Sequence, residues 1–211
     1  MYSLNCIISL VVGMLLLSCT SGMGYEKKKQ TNNSNVLVEN QGILIIQPFA
    51  DISELEIKYI EKGLRKLFKQ VRVKRAIKFP DNSMNAAKTR YRAELLISYL
   101  RKRSRIGEVT IGLTKRDIST KKGVHSDWGV FGLGYCPGNA CIASMYRLKG
   151  ENRSEKFLKI AIHELGHTQG LKHCPDNSCI MRDARGKDHL DEETGFCELC
   201  KGLLIEAGWV L

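Results

Sequence analysis

The chain has 211 residues and carries 33 Lys and Arg against 22 Asp and Glu, a formal net charge of +11. That length suits one ordinary domain plus a short tail, and 43% hydrophobic with 26% charged content excludes a disordered or low-complexity chain. No nucleic-acid motif accompanies the charge, so it reads as a solvated basic surface with no nucleic-acid partner; lipid or nucleic-acid binding through charge alone would show as salt-dependent association.

Residues 1–18 hold no charged side chain and carry the apolar run Ile7–Leu17. The run is too short to span a bilayer comfortably and reads as a signal peptide. It closes on Leu16-Leu17-Ser18-Cys19, which resembles the lipobox of bacterial lipoproteins. The resemblance implies cleavage before Cys19, lipid on its thiol, and a membrane-anchored protein on the extracytoplasmic side, periplasmic or cell-surface. Residues 19–40 are polar, small and charged, as a flexible tether is.

A domain over residues 41–211 follows. Gly42–Phe49 is a continuous apolar run containing Pro48, as in a strand buried on both faces. Asp51 and Ser53 stand ready to cap a helix bearing Leu55, Ile57, Ile60, Leu64 and Leu67 at helical spacing. Residues 70–79 predict a second strand, stopped by Pro80. Residues 85–102 predict a second helix with Tyr91, Leu95, Leu96, Tyr99 and Leu100 on its apolar side, and residues 108–114 a third strand. This alternation argues for an α/β fold whose sheet is at least partly parallel. The basic runs Arg72–Lys78 and Arg101–Arg105 read as surface with no partner implied.

Two further strands flank a Pro/Gly loop between Asp127 and Leu148, and glycines in the first suggest close approach of another backbone. Cys136 and Cys141 are near enough in sequence to close a small disulfide loop in an oxidising compartment, a reading preferred to a metal role. Asn152 and Glu155 form a candidate capping box for the helix that follows, and residues 195–211 predict a closing helix.

That capped helix carries His163-Glu164-x-x-His167-x-x-Gly170-x-x-His173. Residues four apart share a helix face, so His163 and His167 can grip one zinc ion. Gly170 lets the chain turn in a left-handed conformation and bring His173 round as third ligand. Three histidines leave a position open for water, the catalytic arrangement, and Glu164 beside the first ligand is the candidate general base and acid. His125 and His189 read as ordinary polar residues.

Cys174, Cys179, Cys197 and Cys200 come after the histidines. The C-x-x-C spacing suits a second, structural zinc; two disulfides are the competing reading, and metal analysis separates them.

The histidine motif resembles that of the metzincin metalloproteases. With Cys174, the gap to Cys179, Met181 and the Cys197/Cys200 pair, it is similar to the archaemetzincin family. The resemblance implies a metzincin-like α/β domain with a twisted mixed sheet, an active-site helix and a small C-terminal zinc-binding subdomain. It also implies a catalytic zinc on His163, His167 and His173, a structural zinc on the four cysteines, and Met181 as the Met-turn residue beneath the catalytic metal. The expected function is zinc-dependent hydrolysis of peptides or proteins. The alternative class is a non-catalytic, zinc-stabilised binding lipoprotein, and Glu164 argues against it, because a structural ion needs no base.

Overall fold

The computed structural model describes residues 42–211; the expected signal peptide, the expected lipid site at Cys19 and the expected tether lie outside them. Strand β1 (Ile43–Pro48) takes up the first apolar run and is buried beyond its first residue. Parallel neighbours flank it on both sides, β2 (Val71–Val73) and β4 (Glu108–Thr114). Next to β4 comes β8 (Ala140–Ser144), also parallel, and β7 (Gly132–Gly134) closes the edge antiparallel. The order is β2-β1-β4-β8-β7.

Side chains alternate across this sheet and build an apolar cluster on each face. Cys141 and Ala143 of β8 face α1 (Glu54–Leu64), α3 (Arg153–Thr168) and α4 (Glu198–Glu206). Ala140 and Ile142 face α2 (Ala93–Arg103). Cover on both faces explains why the inner strands read as unbroken apolar runs. A second, three-stranded sheet joins β3 (Tyr91–Arg92), β5 (Ile118–Lys122) and β6 (His125–Val130).

Several expectations need correction. Ser53 caps α1 in a reciprocal box with Glu56, while Asp51 instead accepts from Thr114 Oγ1 at 2.8 Å and the Lys115 amide at 2.7 Å. The second strand ends at Val73, and the Gln47 side-chain amide takes the Arg75 carbonyl at 2.8 Å. The second helix begins at Ala93, not residue 85. The Asn85 carboxamide accepts from the amides of Thr89 and Arg90, and Lys88 is left-handed, so a turn forms there instead. Tyr91 therefore lies in β3, Leu95 is exposed, and the buried face is Ala93, Leu96, Ile97 and Leu100. The segment from Asp127 divides between β6 and β7, which belong to different sheets. Asn152 precedes α3 without a side-chain cap bond, and Glu155 pairs with Lys159 at 3.3 Å.

Candidate metal centres and active-site cleft

Helix α3 carries His163 and His167 one turn apart, and their Nε2 atoms lie 3.0 Å from each other. The helix ends at Thr168, Gly170 takes φ +93, and its amide donates to the His167 carbonyl at 2.9 Å. This left-handed turn, as expected for Gly170, returns His173 to the pair, with ring centroids 5.5 Å from His163 and 4.9 Å from His167. One nitrogen from each ring falls within 4.8 Å of the others.

The tautomers follow from the partners. His163 Nδ1 lies 2.6 Å from the Ile180 carbonyl and His167 Nδ1 lies 2.7 Å from the Leu171 carbonyl. A carbonyl only accepts, so both Nδ1 atoms must donate. In the neutral rings both Nε2 atoms are then bare acceptors, facing each other at 3.0 Å. Protonation is disfavoured, since burial, joined by the neighbouring His167, pushes His163 down to about 3. Burial lowers His167 as well. Two lone pairs so placed need a cation between them. A tetrahedral ion with nitrogens at ~2.05 Å sets its ligands about 3.3 Å apart, so the donor set fits zinc.

Glu164 is only 6% exposed. It packs against β7, where a Cβ on Gly132 would fall 2.5 Å from its Cγ and Oε1. A Cβ on Gly134 would meet the Glu164 carbonyl at 2.6 Å, which is the close backbone approach expected of these glycines. Burial raises the Glu164 carboxyl to about 8. Met181 is fully buried beneath the same helix, and a Cβ on Gly166 would strike its Sδ at 2.5 Å.

The sulfurs of Cys174, Cys179, Cys197 and Cys200 also converge within 4.8 Å, with Cys174 and Cys197 at 3.6 Å, and all are free. The amides of Met181 and Cys197 point at Cys179 Sγ at 3.5 and 3.4 Å, bonds that favour a thiolate. Hydrogen bonding from the Cys200 amide lowers the Cys197 thiol, while burial raises Cys179 and Cys200. Four mutually adjacent sulfurs suit one shared tetrahedral ion better than two separate pairs. The Cys174 amide donates to the Met181 carbonyl at 2.8 Å, so this cluster adjoins both His173 and the methionine.

The proposed Cys136–Cys141 disulfide is absent. Cys141 points into the core under α3, while the Cys136 thiol donates to the Leu171 carbonyl at 3.3 Å. The strand pairing of Gly134 with Cys141 holds the two cysteines on different sides of the β7–β8 corner. Neither remaining histidine joins a metal-ligand cluster among the described residues: His125 leans on Trp128, and His189, on the cleft wall, on Glu192.

A cleft of about 900 Å³ runs past these groups, lined by β7, the three histidines, Glu164 and the loop 182–193. Sequence reasoning missed Asp183, 3.9 Å from His173 Nδ1, and Glu193, a buried carboxylate on the cleft wall. Neither lies in a spacing pattern that would single it out.

Comparison with known proteins places the chain in a family. Archaemetzincin of Haloquadratum walsbyi is 30% identical over 173 residues, covering 75% of this chain and 97% of the relative. The crystal structure of archaemetzincin from Methanopyrus kandleri superposes with a TM-score of 0.67 at 28% identity, covering 79% of this chain and 96% of that one. That from Archaeoglobus fulgidus, complexed with malonate, gives 0.64 at 27% identity, covering 76% and 98%. The family model of peptidase family M54 matches residues 43–206. The chain therefore belongs to peptidase family M54, the archaemetzincins, and is a zinc metallopeptidase.

Proposed function

We propose that His163, His167 and His173 hold the catalytic zinc and that Glu164 moves the protons of peptide hydrolysis. The observation that carries this reading is the pair of bare Nε2 atoms facing each other beside a buried carboxylate. Zinc bound there supplies a Lewis acid that polarises a carbonyl and acidifies water. Glu164, left ionised because a cation on the three histidines offsets the burial that raises the free carboxyl, takes the proton from the attacking water and gives it to the departing amine. Its burial against Gly132 and Gly134 keeps bulk water from competing for that proton. The carbonyls of Ile180 and Leu171 keep the two helix histidines in the ligating tautomer throughout. Strand β7 is the edge of its sheet and lines the cleft, so its outer backbone groups are available to pair an extended substrate.

In the same reading Cys174, Cys179, Cys197 and Cys200 hold the structural zinc, Met181 supports the helix beneath the catalytic ion, and Cys19 carries lipid that tethers the enzyme outside the cytoplasm. Glu164→Ala tests the central assignment. It should retain zinc while cleavage of a peptide library falls by about 10²–10⁴. An active variant, or one that loses its metal, would remove Glu164 from the role.

A further inference from the structure

Strands β1, β2 and β4 run parallel, so all three begin at the edge where the chain enters at Gly42. The Ile43 amide donates to the Gly107 carbonyl at 2.8 Å, and the Leu44 amide to that of Gln70 at 2.9 Å. The turn at 105–107 and the corner at Lys69 therefore flank the entering chain. Helix α2 ends there too, where the Ser104 and Thr110 hydroxyls bond at 2.7 Å. The result is an exposed group of cations, Lys69, Arg101, Lys102, Arg103 and Arg105, around Ile106, whose side chain is wholly exposed.

Glu108, an acidic side chain at this edge, is buried and already bonded to the Arg105 amide and Lys74, so it does not offset the group. Arg101 and Arg103 lie 5.5 and 5.2 Å over the rings of Tyr135 and Tyr99, which position them without neutralising them. Helix-end electrostatics accounts for cations in the last turn of α2. It does not account for Lys69 or Arg105, which lie off that helix, nor for an isoleucine standing in water at the same edge. None of the six residues lines the catalytic cleft.

We propose that this edge is a docking face for an anionic phospholipid bilayer. Ile106 enters the headgroup layer, and the five cations engage the phosphates around it. The two features reinforce each other: the charges concentrate the protein at the surface, and the apolar tip gains by leaving water once there. A nucleic acid backbone would satisfy the cations but offers Ile106 no apolar environment. The face acts independently of lipid at Cys19, because an acyl chain holds to any bilayer whereas this face requires an anionic one.

Co-sedimentation of the full chain with vesicles of phosphatidylcholine, with and without phosphatidylglycerol, tests the proposal. Added binding to the anionic vesicles is expected, and high salt should abolish it. The pair Arg103→Glu and Arg105→Glu should lower anionic partitioning by about tenfold or more and leave neutral vesicles unaffected. Ile106→Ser should lower it severalfold. The pair Lys88→Glu and Arg116→Glu, charge-matched and at the opposite end of the sheet, should retain it. Circular dichroism and peptide cleavage, followed in parallel, report folding and the peptidase site separately. Equal binding by wild type and the Arg103/Arg105 pair, equal loss in the charge-matched pair, or preference for RNA over vesicles would overturn the proposal.

Discussion

Two backbone carbonyls, of Ile180 and Leu171, determine what the helix histidines can do. By accepting from both Nδ1 atoms they turn two Nε2 lone pairs toward one point. That His163 and His167 meet on one face was legible in the sequence, because residues four apart on a helix share a face whatever surrounds them. The carbonyls were not, since Ile180 comes to His163 from a loop 17 residues away. The same limit applies to Cys136 and Cys141, close in sequence yet directed to opposite sides of a strand corner. Gly132 gives a sharp test at this scale. Gly132→Ala sets a methyl 2.5 Å from the Glu164 side chain, so either the carboxylate or β7 must move. Thermal unfolding should show a loss of about 1–3 kcal/mol, with peptidase activity falling more than zinc content.

At the scale of elements, α3 is held between the glycine strand β7 and the segment that follows Met181. Lys156 reaches Asp188 at 3.2 Å and Asp191 at 2.6 Å, while Lys159 donates to the carbonyls of Leu190 and Glu193, each at 2.8 Å. Two lysines thus fasten the cleft wall to the helix bearing the histidines. Glu193 is the unbalanced member: it is 5% exposed, Oε2 has no partner, and burial raises its carboxyl to about 7, against opposing pulls from Lys159 and Arg182. The folded protein therefore binds this proton more tightly than the unfolded chain does. Its contribution is present at low pH and is lost as pH rises from the usual carboxylate range through about 7. Denaturant melts of Glu193→Gln should lose that part of the pH dependence, on the order of 1 kcal/mol across the window. The cysteine cluster braces the other end of the segment. Cys179→Ser should reduce zinc by one ion per chain, measured by metal analysis, and lower the melting temperature, since a structural ion contributes folding energy directly. Element boundaries were only partly legible. β4 stands where its sequence predicts, but the second helix loses its first eight residues to a turn and the short strand β3, because the side chain of Asn85 offers two amides a local partner.

For the whole molecule, the peptidase site and the basic edge are separate features of one sheet. The cleft runs along β7, while the cations gather where β1, β2 and β4 begin. Lipid at Cys19 would place both at a membrane. Cys19→Ala should shift the protein from the membrane to the soluble fraction on cell fractionation, leaving peptide cleavage intact; an unchanged membrane fraction would refute lipid attachment. What the sequence determined by itself was the chemistry: three imidazoles, a carboxylate and four thiols in metal-binding spacing, plus the alternation that specifies an α/β sheet. These are legible because ligand type and local periodicity act over a few residues. The tertiary structure decided which groups meet across the chain. It assigned the tautomers of His163 and His167, separated Cys136 from Cys141, buried Glu193, and turned a basic run at the end of α2 into a face around Ile106. Each of these depends on strand order and long-range packing, where distance along the chain says nothing about distance in space.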